Sequence, residues 1–365
     1  MLRLQKIALL QFKNYTNYEV HFDRQVVGIC GANGVGKTSL LDAIYYLCFT
    51  KSYFSRTDQQ AVQSGSQGFR IEGRMELNQH IAELTCIIRE NGKKEFLVDG
   101  SLYERMSAHI GKFPVVMIAP DDAVLITGES KERRSFIDQV LAQIDPAYLQ
   151  SLIRYNRLLQ ERNALLKEAA LAASFDASLL DVLDEQLSVQ GQFIYEARKE
   201  FLSSFLIEVE NQYAAIAADE HSSQSEWVKI DYQSHLATQS MKQALQESRS
   251  ADFSAQRTTR GIHRDELYFT LLQQPFRQVA SQGQRKSLLF ALKLAQVNVI
   301  KEMMGFSPLL MLDDVFEKLD EKRIMNLLTK VCADSKSQIF ITDTSAERLE
   351  KQLAKLGVSF QLVSL

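Results

Sequence analysis

Along roughly the first 125 residues, apolar positions fall in short alternating runs separated by turn residues, which is the period of half-buried strands. Residues 6–10, 26–30, 69–77, 81–89, 95–99 and 115–118 are the predicted strands, and Asn91-Gly92 between two of them is a hairpin signal. From Glu132 to Ala218 the period becomes helical. Leu149, Leu152, Leu159 and Leu166 share one face, and Leu180, Leu183, Leu187, Ile194, Phe201 and Phe205 continue the spacing. A break at Ala173-Ser174-Phe175-Asp176 would let two long helices fold back on each other, with Asp176 a candidate N-cap. After a polar stretch at 219–226, residues 227–232 return to strand character, 248–261 reads as a Ser/Arg/Thr-rich loop, and 266–272 reads as a strand re-entering the head. Residues 288–304 and 309–358 then give helix, strand, helix, strand, helix, the alternation of a parallel sheet with covering helices. The expected fold is an α/β head, a mixed sheet with helices, interrupted by an inserted helical arm. The expected bounds are 1–130 for the first part of the head, 131–250 for the arm and 251–365 for the second part.

Composition narrows this picture in few places. The 365 residues are 45% hydrophobic and 24% charged, enough for more than one structural unit. A net charge of -3 means that any nucleic-acid contact must come from a local patch. Cys30, Cys48, Cys86 and Cys332 are widely spaced among apolar neighbours and read as buried thiols. The start of the chain alternates like a strand and lacks a signal-like apolar run, and no stretch approaches a membrane span, so a cytoplasmic protein is expected.

The strongest local signal is Gly31-Ala32-Asn33-Gly34-Val35-Gly36-Lys37-Thr38, a P-loop pattern that follows an apolar strand and opens a helix with Leu40, Leu41, Ile44 and Leu47 on one face. Its glycines let backbone N–H groups converge on phosphate oxygens at a helix N-terminus. Lys37 is expected to reach the β- and γ-phosphates of ATP, and Thr38 to place its hydroxyl on Mg²⁺ with Ser39 beside it. A second signal is the apolar run 309–312 ending in Asp313-Asp314. Such a strand is expected beside the P-loop strand, with Asp313 holding Mg²⁺ and Asp314 facing the attacking water.

Upstream of that strand lies Ser281-Gln282-Gly283-Gln284-Arg285-Lys286-Ser287-Leu288, which resembles the signature of ABC ATPases. A Ser and a glycine backbone at a helix N-terminus make an anion-binding end. In ABC ATPases that end caps the γ-phosphate held by the partner subunit. Lys318-Leu319-Asp320 then matches the D-loop that follows the acidic pair in these proteins.

The whole chain resembles the RecF family, ABC-type ATPases of bacterial recombinational DNA repair related to the SMC heads. The resemblance rests on Phe12-Lys13-Asn14-Tyr15, the P-loop, Pro120-Asp121-Asp122 with Gly128 and 133–138, Gly261-Ile262-His263-Arg264-Asp265, the signature, and residues 312–320. It implies ATP and Mg²⁺ as cofactors, an ATP-dependent homodimer, and binding to single-stranded, gapped or junction DNA. It further implies slow ATP hydrolysis, cooperation with RecR and RecO in loading RecA, and support of the SOS response. Lys13 and Asn14 fall where related heads touch the nucleotide. Three departures bear on turnover: Asp313-Asp314 stands where many ABC ATPases have Asp-Glu, Thr342-Asp343-Thr344 stands where they have a switch histidine, and no Q-loop glutamine is evident in the turn at 119–122.

Other residues carry two readings each. His263 reads as a nucleotide or DNA contact, or as a fastening where the arm rejoins the head. Lys131, Arg133 and Arg134, like Arg154, Arg157 and Arg162, read as phosphate-contacting patches or as ordinary charged helix faces. Phe201, Phe205 and Tyr213 read as core rather than as a base-stacking platform. Two rival functions share the P-loop and signature: a subunit driving a membrane transporter, which has no use for a long arm, and a scaffold that binds ATP without hydrolysing it.

Overall fold

The alternating runs near the start of the chain pair as strands whose ends differ by a few residues from those read off the pattern. In the computed structural model, residues 1–169, 177–217, 228–314, 321–334 and 336–365 are described. They divide into a first unit, residues 1–122 with 290–365, and a second unit, residues 123–289. The division therefore falls before Ala123 and after Leu289, away from the expected bounds.

In the first unit the chain forms β1 (Leu2–Phe12), β2 (Tyr15–His21), β3 (Val26–Cys30), α1 (Lys37–Phe49), β4 (Phe69–Leu77), β5 (His80–Ile88), β6 (Lys94–Val98), β7 (Ser101–Leu102) and β8 (Val115–Ile118). An antiparallel sheet runs β2-β1-β4-β5-β6-β7. The hairpin expected at Asn91-Gly92 joins β5 to β6, with Gly92 at φ 76° and the Arg89 N–H donating to the Lys93 carbonyl. The pattern missed β2 because the strand is largely polar and exposed on both faces, with Asn17 and Glu19 on one and Thr16 on the other. α1 is buried on nearly every side, so the face of Leu40, Leu41, Ile44 and Leu47 is only part of its contribution to the core.

The second unit holds α2 (Val124–Thr127), α3 (Ser130–Ile144), α4 (Pro146–Ala169), α5 (Ala177–Ala217), β9 (Val228–Gln233), α6 (Met241–Ala255), β10 (Glu266–Leu271), β11 (Gln274–Pro275) and α7 (Phe276–Val279). Three expectations are corrected here. The strand at 266–271 does not rejoin the head sheet: it pairs with β9 and β11 in a separate antiparallel sheet. The expected loop over 248–261 is helical as far as Ala255, because Ser240 and Gln243 form a capping box that starts α6. The buried face of α4 is Tyr148, Tyr155, Arg162 and Leu166, while Leu149, Leu152 and Leu159 are only half-buried. The break at 173–176 lies outside the described residues.

α8 (Gln282–Met304) carries the chain back into the first unit, which is completed by β12 (Leu309–Leu312), α9 (Glu321–Asp334), β13 (Ile339–Asp343), α10 (Ala346–Lys355) and β14 (Phe360–Ser364). A parallel sheet runs β14-β3-β13-β12-β8. β13 thus lies between the P-loop strand β3 and the acidic strand β12, which corrects the expectation that those two are neighbours. The four cysteines are buried and unpaired. Among the described residues no helix is long and apolar enough to cross a membrane.

Candidate nucleotide site

The P-loop leaves β3 at its buried end and turns into α1 through two glycines in the left-handed region, Gly34 at φ 84° and Gly36 at φ 116°. Gly36 is the N-cap of α1 and offers no side chain to the donors of the first turn, which stay open to an anion. A Cβ at Gly36 would meet the Tyr15 hydroxyl at 3.0 Å and its ring at 3.1–3.2 Å. Ala32, Asn33, Gly34 and Val35 form the exposed crest of the loop. The Lys37 ammonium is buried beneath it and donates to the carbonyls of Gly31 at 2.8 Å and Ala32 at 3.0 Å.

Neighbouring side chains hold this shape. Asn14 donates to the Gly34 carbonyl at 2.9 Å and accepts from the Ser39 hydroxyl at 2.9 Å, so it ties both ends of the turn. The Tyr15 hydroxyl donates to the Gly36 carbonyl at 3.0 Å. Pattern reading placed Asn14 at the site and passed over Tyr15, whose only signal is its place beside Asn14. Lys13 is directed elsewhere: its ammonium pairs at 2.6 Å with buried Asp42, which also accepts from the Ser52 hydroxyl and the Tyr53 N–H.

Asp313 meets the P-loop helix from the far side of β13. The Thr38 hydroxyl lies 3.0 Å from both Asp313 oxygens, and the Thr342 hydroxyl donates to Oδ1 at 2.9 Å. Burial raises the Asp313 carboxyl above the usual carboxylate range, and the Thr342 and Thr38 hydrogen bonds oppose that shift. A hydroxyl and a carboxylate form a hard-oxygen pair that suits Mg²⁺. Asp314 follows with φ 45°, and its N–H donates to Thr342 Oγ1 at 2.8 Å. Asp343, at the end of β13, is engaged by Arg348 Nε at 2.9 Å and by the Ser345 N–H at 2.9 Å, and its carbonyl accepts from the Gly31 N–H.

The turn expected to replace the Q-loop is built around a buried ion pair. Asp122 accepts from the Ala119 N–H at 2.9 Å, from Lys293 at 3.1 Å and from the Tyr53 hydroxyl, while Asp121 is exposed. Neither Lys293 nor Tyr53 belongs to a recognisable string, so residue pattern alone could not have found them.

In the second unit Ser281 caps α8: its hydroxyl accepts from the Gln284 N–H at 3.2 Å, and the Gln284 side chain accepts from the Ser281 N–H at 2.7 Å. Ser281 and Gln282 are exposed, with Gly283 and Gln284 half-buried behind them. Asp320 lies outside the described residues. Most of the candidate phosphate-contacting arginines are turned inward. Arg133 bonds Glu266 at 2.5 Å and the Gly128 carbonyl, Arg134 bonds the Asp265 carbonyl at 2.7 Å, and Arg162 is fully buried. Arg157 pairs with Glu161 along α4, which leaves Arg154 and Lys131 on exposed helix surface. His263 is engaged at both ring nitrogens, by the Tyr155 hydroxyl at 2.8 Å and the Thr258 carbonyl at 3.1 Å, as a fastening residue would be. Phe205 and Tyr213 are core, with Phe201 stacked on Phe205.

Comparison with known proteins gives consistent results. The family described as "RecF/RecN/SMC N terminal domain" matches residues 3–363. The DNA replication and repair protein RecF of Flavobacterium johnsoniae is 38% identical over 100% of both chains. That of Cytophaga hutchinsonii is 38% identical over 94% of this chain and 90% of its own. Two solved structures of the recombination mediator protein RecF in the RecFOR pathway superpose closely. The RecF-ATPrS structure has a TM-score of 0.86 at 26% identity, covering 94% of this chain and 93% of the other. The RecF-ATP structure has a TM-score of 0.85 at 27% identity, covering 94% and 92%. An Smc head domain from Pyrococcus furiosus shares the fold at a TM-score of 0.53 and 15% identity, covering 98% and 92%.

Proposed function

The chain belongs to the RecF family of SMC-related ATPases, and from that membership and the geometry of its site we propose that it is an ATP-dependent DNA-binding clamp of recombinational repair and replication-fork maintenance. One observation carries the reading. Thr38 and Asp313, 275 positions apart in sequence, meet at 3.0 Å beside the open N-terminus of α1. In this reading the first-turn N–H groups and Lys37 take the β- and γ-phosphates of ATP, and Thr38 with Asp313 holds Mg²⁺. The metal would neutralise charge developing on the phosphates. Asp314 accepts the proton of the attacking water. Ser281, Gln282, Gly283 and Gln284 present the capped end of α8 to the γ-phosphate of a second copy, with Asp320 completing that interface, so that ATP closes a homodimer.

The relatives' names and the RecF-ATP structure support the substrate and pathway, and through them binding to single-stranded, gapped or junction DNA and cooperation with RecR and RecO in loading RecA and inducing SOS. The short carboxylate at Asp314 and the lack of an imidazole at 342–344 support slow turnover. Gel filtration with and without Mg²⁺ and ATP, followed by binding to gapped DNA, tests the reading: an ATP-dependent dimer that ignores DNA would remove the repair role. Lys37→Arg and Ser281→Arg are each expected to abolish the dimer, since a planar guanidinium does not replace the compact ammonium and a bulky cation blocks closure. Mixed together they are expected to restore part of it, because one composite site of the mixed dimer carries neither change. No recovery from two folded variants would sink the clamp.

A further inference from the structure

We infer that Thr342 is a positioning residue of this site, a hydroxyl latch that sets both members of the acidic pair; the inference deepens the proposed ATPase reading and rests on it. β13 separates the P-loop strand from the acidic strand, and Thr342 sits near its end, completely buried. A hydroxyl has one proton and two lone pairs, and here its donor capacity is used on one aspartate and its acceptor capacity on the next. Its proton goes to Asp313 Oδ1 at 2.9 Å, and its oxygen accepts the Asp314 N–H at 2.8 Å. The first bond fixes the carboxylate that also meets Thr38. The second helps to hold Asp314 at φ 45°, a left-handed conformation that aspartate enters more readily than most residues but that still costs energy relative to glycine. One side chain therefore decides where the Asp313 oxygens point and where the Asp314 side chain leaves the backbone.

Its neighbour leaves it that work. Asp343 is committed to Arg348 and to the cap of α10, and its carbonyl braces the first residue of the P-loop. The two residues at the end of β13 thus hold the loop on one side and the acidic pair on the other. In the stretch where many ABC ATPases carry a histidine, this chain has a hydroxyl that acts through the aspartates.

Valine and serine separate the latch from simple packing. Thr342→Val keeps the shape and removes the hydroxyl, whereas Thr342→Ser keeps the hydroxyl and removes a methyl. The latch predicts that the Val variant loses about tenfold or more in kcat with KM changed by less than about threefold, and that half-maximal binding of a fluorescent ATP analogue needs about tenfold more Mg²⁺. The Ser variant should stay within about threefold of wild type on all three measures. A packing role predicts the reverse order. A Val variant matching wild type, or a Ser variant as impaired as Val, overturns the latch. If the Val variant melts below the assay temperature, Thr342→Cys, which lacks the methyl as Ser does but is a far weaker donor, takes its place and is compared with Thr342→Ser by the same criteria. Wild-type protein without Mg·ATP-dependent hydrolysis would overturn the ATPase reading instead, and the Mg²⁺ titration would still decide the latch.

Discussion

Both units bury charged side chains, and they satisfy them in different ways. In the second unit Arg162 bonds Asp184 at 2.6 Å, Asp252 at 2.7 Å and Thr258 at 2.9 Å, and Arg198 bonds Asp138 at 2.8 Å and Asp265 at 2.9 Å. Each charge there is closed by an opposite charge. At the candidate site of the first unit Lys37 donates to two backbone carbonyls, and Asp313 accepts from two hydroxyls. The groups bonded to these two are neutral dipoles, and the opposite charge of Lys37 reaches Asp313 only through space. Elsewhere in the same unit, Lys13 with Asp42 and Lys293 with Asp122 are closed as ion pairs. Closed pairs hold structure, whereas a buried charge steadied only by dipoles keeps its field for a ligand of opposite sign.

The largest expected effect comes from breaking the closed network. Arg162→Met leaves Asp252 buried without its cation and Asp184 with Arg249 alone, and should cost about 3–5 kcal/mol of stability. Urea unfolding followed by circular dichroism measures it, and a loss under about 1 kcal/mol would show that the network is not tightly closed. The site should respond in the opposite sense. Asp314→Asn is expected to leave the urea midpoint nearly unchanged while hydrolysis slows by about 10²-fold, because an amide keeps the shape but accepts no proton. The ATP-bound dimer should persist correspondingly longer on gel filtration. Turnover equal to wild type would move the base role to another group.

The contrast also explains how much could be read in advance. The P-loop, the acidic pair and the signature are contiguous strings whose chemistry needs fixed spacing, so Gly31 to Thr38, Asp313 and Ser281 stood out in the chain. The alternating runs located most of the first unit's strands for a similar reason, since a period of two shows wherever one face is buried. What escaped notice depends on pairing between distant segments. Arg162 on a helix face carries the pattern of a solvated residue until Asp184 and Asp252 are brought to it. The strand at 266–271 has the same local pattern in either sheet, and only its partners β9 and β11 assign it. Thr342 was visible only as a missing histidine. Its role depends on the placement of β13 between β3 and β12, and local periodicity does not encode strand order.

A smaller effect tests whether the closed interior of the second unit extends to its histidine. Burial, aided by the positive charges of Arg264 and Arg134, pushes His263 down to about 4, while the Thr258 carbonyl and Asp252 oppose the shift. The neutral ring suits its surroundings, with one nitrogen accepting from the Tyr155 hydroxyl and the other donating to the Thr258 carbonyl. The folded value lies below the unfolded value of about 6.5, so the unfolded chain binds the proton more readily between them. Stability from this group is therefore complete above about pH 6.5 and is lost as the pH falls towards 4, with about 2 kcal/mol gone between pH 7 and pH 5. His109 in the first unit, buried against the Leu47 carbonyl and likewise lowered to about 4, should lose stability over the same window. Replacing one histidine should therefore remove only its own share. His263→Gln is expected to be less stable than wild type at pH 7, having lost part of its bonding, but to lose about 2 kcal/mol less on acidification. Urea titrations at pH 7 and pH 5 on wild type, His263→Gln and His109→Gln read the two slopes separately. An unchanged pH dependence in His263→Gln would mean that this ring already takes up its proton in the folded protein, and that the interior around Tyr155 admits charge more readily than its closed ion pairs imply.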